Sequence, residues 1–300
     1  MSQSYFCSSG AEANEAAIKL ARKWGRLHRD GAFEILSTEN GFHGRTLAAM
    51  AASGKPGWDR LFPPNLPGFC KVPYGDLQAM QGAIGSKTVA IMVEPIQGEA
   101  GVVVPPPGYL AGLRALADGH GVLLIFDEIQ TGMGRTGTLL AFQGEGVTPD
   151  IVTLGKGLGS GVTLAAVLAS DRASCFLPGD QGGTHHGNAL GCAVGLAVVD
   201  VIADPSFLGA VRTRGAELAE GLSSLGQRHR ATARGRGLLW ALELNRPIAE
   251  PVRDACLALG LLVNAPRAGT LRFMPSLRVT NAEIGEMLSV LEEALTQARE

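Results

Sequence analysis

Lys156 occupies a setting that the other five lysines do not share. It follows the apolar stretch 151–154 and lies between glycines in Thr-Leu-Gly-Lys-Gly-Leu-Gly at 153–159. Flanking glycines let the backbone turn sharply, so that the amine can face a pocket at a strand end. An amine removed from water has a lowered pKa and acts as a Schiff-base nucleophile. Taken alone, the segment favours a solvated loop lysine.

Asp127 ends the apolar stretch 122–127 and precedes Glu-Ile-Gln. Open α/β sheets bind their ligands at the carboxyl ends of strands. A carboxylate buried there needs a cationic partner. The protonated pyridine nitrogen of a ligand and a helix N-terminus are both candidates from these residues alone.

Two glycine-bounded segments could contact a phosphorylated aromatic ligand. Ser-Gly-Ala at 9–11 follows a short apolar stretch and opens a helical one. Free N–H groups at a helix start bind phosphate, although simple capping by the serines explains the same residues. Gly-Phe-His-Gly-Arg-Thr at 41–46 brings a ring that could stack and, in Arg45, a planar fork suited to a carboxylate. A buried Phe42 and a surface arginine are the alternative.

Neither a metal site nor a disulfide framework is expected. His185 and His186 are adjacent in a polar turn at 182–188, and neighbours on an extended chain point in opposite directions. The five cysteines are an odd number, widely spaced, with no C-x-x-C pair. This usage favours small buried thiols in a reducing compartment over disulfides or a zinc knuckle.

Composition excludes further classes of protein. The 300 residues are 46% hydrophobic and 18% charged, which allows a sizeable core and argues against disorder. A net charge of −2 argues against a general nucleic-acid binder. The richest apolar stretch, 191–203, contains Asp200 and is too short for a bilayer, and the first residues show no secretory signal. We therefore expect a cytoplasmic protein with no membrane or nucleic-acid partner.

Short apolar stretches alternate with helical ones over the first two thirds of the chain. The predicted strands are 5–7, 32–37, 89–94, 122–127, 151–154 and 164–169, and the predicted helices are 11–27, 109–120 and 191–202. Several of these strands are apolar at consecutive positions, which indicates a largely parallel sheet under helices. Composition changes near residue 204, so we predict domains at 1–204 and 205–300. In the second domain, the predicted helices are 208–225, 248–259 and one from 281. An arginine-rich turn with a strand is predicted at 234–244, and further strands at 261–264 and 270–273.

A lysine nucleophile, a strand-end aspartate, an aromatic ring, a phosphate-binding helix start and a carboxylate-binding arginine are together what a pyridoxal phosphate enzyme needs. The amino-acid sequence of five segments resembles that of the class III pyridoxal phosphate aminotransferases, most of all the acetylornithine aminotransferases. The segments are 6–19, 41–46, Glu-Pro-Ile-Gln-Gly-Glu at 94–99, Phe-Asp-Glu-Ile-Gln-Thr-Gly-Met-Gly-Arg-Thr-Gly at 126–137, and 153–159. The resemblance covers essentially the whole chain, and its most specific parts are 126–137 and the lysine segment.

The resemblance implies an aspartate-aminotransferase-like α/β fold (PLP fold type I), with a mostly parallel sheet under helices and a smaller C-terminal α+β domain. It implies transfer of the δ-amino group of N2-acetylornithine to 2-oxoglutarate, in arginine biosynthesis, by a homodimer with shared active sites. Ornithine, succinylornithine or an aminoadipate-semialdehyde derivative are alternative donors. An inactive truncated protein is the other alternative, because family members usually carry a further N-terminal segment. A Rossmann protein is disfavoured, since no G-x-G-x-x-G follows the first strand.

The resemblance implies a role for each residue that matches one of the family's motifs. Lys156 would carry the cofactor, pyridoxal 5′-phosphate, and shuttle the proton, and Asp127 would pair with its ring nitrogen. The further cofactor-binding residues would be Gly10 and Ala11 at the phosphate, Phe42 and Ile129 on the faces of the ring, Gln130 at its phenolic oxygen, Glu128, and Thr184 at the phosphate of the other subunit.

Four further residues would contact substrate. Arg45 would bind the carboxylate of acetylornithine or the distal carboxylate of 2-oxoglutarate, and Gly183 would line the substrate side. Arg272 would take the keto acid's α-carboxylate, with Glu99 as its gating partner. The sequence departs from the family at His185, where relatives have an aromatic or small residue after the threonine, and at Ala189, where they have proline after the asparagine. It also departs at Gly155, where alanine is usual.

Overall fold

Consecutive apolar residues form the interior strands of a seven-stranded sheet. A computed structural model describes residues 1–298. The strands are β1 (Gln3–Cys7), β2 (Glu34–Thr38), β3 (Phe69–Val72), β4 (Thr88–Val93), β5 (Leu123–Asp127), β6 (Ile151–Leu154) and β7 (Ala165–Ala169). They are ordered β1-β7-β6-β5-β4-β2-β3, and all neighbours from β6 to β3 are parallel, whereas β7 is antiparallel to β6 and to β1. Every residue of β4 and β5 is buried, as expected for strands covered on both faces.

The helices that accompany this sheet are α1 (Gly10–His28), α2 (Leu47–Ala52), α3 (Leu77–Ala83), α4 (Tyr109–His120) and α5 (Ala189–Ile202). Helix α1 begins at the predicted cap. The Ser9 hydroxyl accepts from the Glu12 N–H, and the Glu12 carboxylate accepts from the Ser9 N–H. Small residues such as Ala13 and Ala17 on its buried face let the helix lie close to the sheet.

The last third of the chain forms a smaller antiparallel sheet with its own helices. These elements are α6 (Pro205–His229), β8 (Ala231–Arg236), β9 (Leu239–Leu244), α7 (Ala249–Ala258), β10 (Asn264–Arg267), β11 (Thr270–Phe273) and α8 (Asn281–Gln297). The strand order is β10-β11-β9-β8, with every neighbour antiparallel. A second core lies between sheet and helices and includes Leu218, Leu242 and Leu291.

Two predicted strands of this part differ from the structure. The turn with one strand predicted at 234–244 is a hairpin of two strands, β8 and β9, that turns at Gly237, whose φ of +57° suits glycine. The strand predicted at 261–264 is wrong, because β10 begins only at Asn264. Of the apolar residues before it, Leu261 and Val263 pack against the core from outside the sheet, and Leu262 is 84% exposed.

The chain divides into two compact units. The first comprises Met1–Pro95, Pro105–Met133 and Leu140–Val201; the second comprises Ile96–Val104, Gly134–Leu139 and the described residues from Ile202 onward. No local pattern in the sequence predicts that the two short segments Ile96–Val104 and Gly134–Leu139 belong to the second unit. Within the units, the predicted fold class is confirmed, with a mostly parallel sheet under helices in the first and an α+β arrangement in the second.

No single helix among residues 1–298 is long and apolar enough to cross a membrane. The bent pair α5 and α6 meets the criteria of length and composition only when the two helices are taken together.

Candidate active site

Lys156 lies just beyond the carboxyl end of β6, in the short 3₁₀ turn Lys156–Leu158. Its φ is +39°, a left-handed conformation that is uncommon for a residue with a side chain. Strained residues of this kind cluster at functional sites. The lysine is exposed, unlike the desolvated amine that its sequence setting suggests, because it lies past the last buried residues of the strand.

Asp127 is the centre of a buried hydrogen-bond network at the end of the neighbouring strand. Its Oδ2 accepts from Asn14 Nδ2 and from His43 Nδ1, both at 2.8 Å, and its Oδ1 accepts from the Ile129 N–H at 3.1 Å. Asn14 is fixed in turn. Its Nδ2 also donates to the His43 carbonyl at 2.6 Å, and the Thr153 hydroxyl donates to its Oδ1 at 2.8 Å. The four side chains of this network are almost fully buried.

His43 is the titratable side chain that contacts the buried Asp127 carboxylate. Burial alone lowers the pKa of His43, but the hydrogen bond and charge of Asp127, assisted by the charge of Glu94, outweigh burial and raise this pKa above its ordinary value. Lys71 acts weakly in the opposite direction. A carboxylate has about four acceptor sites, so Asp127 can still accept from one further donor, such as a cationic ligand nitrogen.

Asn14 and His43 are not among the site residues that the sequence predicts. Two signals are visible in retrospect. Asn14 is a polar residue on the otherwise apolar, buried face of α1, and the imidazole of His43 belongs to the glycine-bounded segment 41–46. A buried polar side chain must find partners, which makes such a residue a marker of a network.

The start of α1 presents two backbone donors to a ligand. Ser8 and Ser9 give their N–H groups to the Glu12 carboxylate, each at 2.8 Å. Within residues 1–298, the N–H groups of Gly10 and Ala11 have no hydrogen-bond partner of their own. Unpaired N–H groups at the positive end of a helix bind phosphate.

Gly10, Ile129 and Gly155 bring three chain segments into contact beside these donors. A Cβ on Gly10 would stand 2.8 Å from Ile129 Cδ1, and a Cβ on Gly155 would stand 3.4 Å from Gly10 Cα. The turn of Lys156, the strand end of Asp127 and the start of α1 therefore meet at one edge of the sheet.

Two of the remaining predicted ring contacts are half-buried in the same unit. Phe42 gives its backbone N–H to Glu94 Oε2 at 3.0 Å, and its ring meets Trp58 edge-on at 5.7 Å. Lys55 Nζ lies 5.1 Å from the centre of the Phe42 ring. Gln130 is half-buried.

Glu128 directs its carboxylate to the backbone of a neighbouring segment. The N–H groups of Ala141 and Phe142 donate to it at 2.7 and 2.9 Å, and the Thr131 hydroxyl donates at 3.2 Å. Burial raises the pKa of Glu128 to about 7, against the lowering effect of these donors. The side chain thus fixes the short 3₁₀ helix Ala141–Glu145 that follows the strand-end motif.

The turn at 182–188 leaves Gly183 and Thr184 exposed and turns His186 inward. His186 Nδ1 is 2.8 Å from the Tyr5 hydroxyl, and its Nε2 is 3.5 Å from Glu12 Oε2. This histidine therefore fastens the turn to the start of α1. In the described part of the chain, no three His, Cys, Asp or Glu side chains are grouped as a metal site requires.

The predicted substrate arginines have contrasting surroundings in their respective units. In the second unit, Arg272 on β11 is buried, and its Nη1 donates to Glu99 Oε1 at 2.8 Å and to the Gly98 carbonyl at 2.9 Å. In the first unit, Arg45 is exposed and forms no ion pair within residues 1–298. Arg45 is thus the more accessible of the two guanidinium groups.

Known proteins match the chain over nearly its whole length. The family model "Aminotransferase class-III" matches residues 1–295. Acetylornithine aminotransferase 2 of Bordetella parapertussis is 52% identical over 299 residues, which are 98% of this chain and 76% of that protein. Ornithine aminotransferase of Toxoplasma gondii has a TM-score of 0.93 at 34% identity, covering 99% of this chain and 73% of that one. An amine transaminase from an uncultivated Pseudomonas species, solved with its pyridoxal cofactor bound, has a TM-score of 0.90 at 30% identity, covering 99% and 77%.

These matches confirm PLP fold type I and pyridoxal 5′-phosphate as the cofactor. The residues present fit that group. The free N–H groups of Gly10 and Ala11 suit its phosphate, and the acceptor capacity of Asp127 suits its protonated ring nitrogen. With a family model that spans almost all of it and a relative that shares half of its residues, this chain belongs to the class III aminotransferases and is an aminotransferase dependent on pyridoxal phosphate.

Proposed function

We propose that this enzyme transfers the δ-amino group of N2-acetylornithine to 2-oxoglutarate, as a step of arginine biosynthesis. The relatives named acetylornithine aminotransferase support the donor. The observation that carries the proposal is the 2.8 Å contact between Arg272 and Glu99. A donor without an α-carboxylate at its reacting end leaves this pair intact. A dicarboxylic keto acid displaces Glu99 and binds the planar guanidinium with two parallel hydrogen bonds.

The cofactor, when bound, supplies an electron sink for the negative charge that develops at the amino-bearing carbon. Asp127, held by His43 and Asn14, keeps its carboxylate aimed at the ring nitrogen. Lys156 would hold the cofactor through its amine, and its Nζ would move the proton to and from the amino-bearing carbon. The turn that Lys156 occupies keeps the amine at the edge of the sheet where Asp127 ends.

Other residues of the first unit orient the cofactor. Gly10 and Ala11 would hold the phosphate through their N–H groups, Phe42 and Ile129 would lie on the two faces of the ring, and Gln130 would contact its phenolic oxygen. Glu128 stabilises this arrangement by accepting from the backbone of the segment that follows the strand-end motif, at Ala141 and Phe142.

Two copies of the chain share their active sites in the proposed homodimer. Thr184 reaches the phosphate bound by the other subunit, and Gly183 lines the substrate side there. The exposure of both residues supports this role. Arg45, exposed and without a carboxylate partner in residues 1–298, binds the carboxylate of acetylornithine or the distal carboxylate of 2-oxoglutarate. The free cysteines of the described chain support a reducing, cytoplasmic location.

A donor panel tests the proposal. The purified enzyme loaded with pyridoxal phosphate is given 2-oxoglutarate with acetylornithine, ornithine, succinylornithine or an aminoadipate-semialdehyde derivative, and glutamate formation is measured. We expect the highest kcat/KM with acetylornithine. A higher value for another donor would replace the substrate assignment. A cofactor-loaded protein inactive with every donor would overturn the proposed function.

A further inference from the structure

Glu99 belongs to a tight turn inside the second unit. The N–H and carbonyl groups of Gln97 and Val103 bond to each other in both directions, at 3.1 and 2.9 Å. Between them, Gly101 and Val102 have φ angles of +98° and +54°. The side chain of Val102 is fully buried against the small sheet. A left-handed valine is costly, so the surrounding structure must hold this turn in place.

Arg234 on β8 binds the second half of the turn, at Gly101 and Val102. Its Nε donates to the carbonyls of Gly101 and Val102 at 3.2 and 3.0 Å, and its Nη2 donates to the Gly101 carbonyl at 2.8 Å. The same Nη2 donates to Glu243 Oε2 at 2.8 Å. The Thr270 hydroxyl, directly across from Glu243 on the next strand, donates to that oxygen at 2.6 Å.

Arg272 binds the first half of the turn by donating to the Gly98 carbonyl. Two guanidinium groups of one sheet therefore fix the backbone on either side of Glu99. Arg234 uses two donors of a rigid fork, Nε and Nη2, which a lysine cannot reproduce. Hydrogen bonds from the sheet therefore hold the backbone on both sides of Glu99 while its carboxylate contacts Arg272.

We propose that Arg234, oriented by Glu243, is a positioning residue that keeps Glu99 on Arg272 and thereby sets the discrimination between amino donors. This inference rests on the proposed gating by Glu99. Loosening the turn uncovers Arg272 for part of the time. Glutamate, which carries an α-carboxylate, then competes as a donor with acetylornithine, which presents none at its reacting end.

Arg234→Lys tests the inference, with Arg253→Lys as the matched control, since Arg253 is a half-buried arginine of α7 that pairs with Asp254. The kcat/KM values for glutamate and for acetylornithine as donors are measured in cofactor-loaded enzyme. We expect Arg234→Lys to raise the glutamate-to-acetylornithine ratio by about tenfold, the size of one lost hydrogen bond to a charged group, and the control to leave it unchanged. An unchanged ratio in Arg234→Lys would overturn the inference, even if the melting temperature falls.

A double variant separates positioning from general damage. Once Glu99 is removed, its position no longer matters, so Glu99→Ala with Arg234→Lys should show the same ratio as Glu99→Ala alone. Multiplied effects would overturn the inference. If Glu99→Ala by itself leaves the ratio unchanged, the gating in the proposed function fails as well. If Arg234→Lys does not fold, Glu243→Gln tests the same orientation of Arg234 and should raise the ratio in the same direction. An unchanged ratio in Glu243→Gln would overturn the inference.

Discussion

Exchanging Asn14 for aspartate would place a second carboxyl group against Asp127 without changing the size of the side chain. Asn14 Nδ2 donates to Asp127 Oδ2 at 2.8 Å, and both side chains are buried. The change therefore replaces a donor by an acidic acceptor. Two carboxylates at this distance cannot both ionise, so one of them keeps a proton and its pKa is strongly raised.

The size of the effect follows from linkage between protonation and folding. A carboxyl of this kind has a pKa of about 3.9 in the unfolded chain, and a like charge in contact raises the folded value by about 3 units. The folded pKa is higher than the unfolded one. The contribution of this carboxyl to folding stability is therefore fully present below about pH 4 and is lost as the pH rises through about 7. At about 1.4 kcal/mol per unit, and with the slope falling as the pH nears the folded pKa, Asn14→Asp loses about 2 kcal/mol of unfolding free energy between pH 5 and pH 7, relative to wild type. The contact of His43 Nδ1 with Asp127 Oδ2 makes this an upper figure.

Urea unfolding of the cofactor-free proteins from pH 5 to pH 8 measures this loss. Asn14→Ala is the control, because it removes the same hydrogen bonds without adding an ionisable group. The destabilisation of Asn14→Ala relative to wild type should vary little with pH, whereas that of Asn14→Asp should grow as the pH rises. Parallel pH profiles for the two variants would refute the reasoning, since they would mean that residue 14 does not face the carboxylate of Asp127.

Three further changes test the site. Lys156→Ala should abolish turnover and the visible absorbance of the bound cofactor, and borohydride reduction with peptide mapping of the wild type should label Lys156; a label on another lysine would contradict its role. Asp127→Asn should lower kcat by about 10²- to 10³-fold while the cofactor still binds, because the ring nitrogen loses its counter-charge; near-normal turnover would rule this out. Burial raises the pKa of Glu128 from 4.5 to about 7, so its contribution to stability is full below pH 4.5 and is lost as the pH rises through 7. Glu128→Gln removes that dependence, so the difference in unfolding free energy between wild type and variant should shift by about 3 kcal/mol across this window; a constant difference would contradict the raised pKa.

Local patterns in the sequence were sufficient to predict most of the secondary structure. The predicted strands 151–154 and 270–273 and the predicted helix 109–120 have the observed bounds. Apolar spacing reports which face of an element is buried, and that depends on near neighbours. The edge strand β3 was not predicted, because its partly exposed residues form no apolar stretch. The segment before β10 was predicted as a strand because it is apolar, although it lies outside the sheet.

The chemistry of the site was readable from residue types and motif order, since a lysine nucleophile or a strand-end carboxylate is recognisable in place. The sequence alone therefore pointed to the family, the cofactor and the principal residues. Only the tertiary structure decided which partners control them. Asn14 meets Asp127 across 113 residues of chain, and Arg234 meets the turn of Glu99 across more than 130. Such contacts depend on the order of strands in each sheet, and that order is set by the packing of the whole core, which no local pattern specifies.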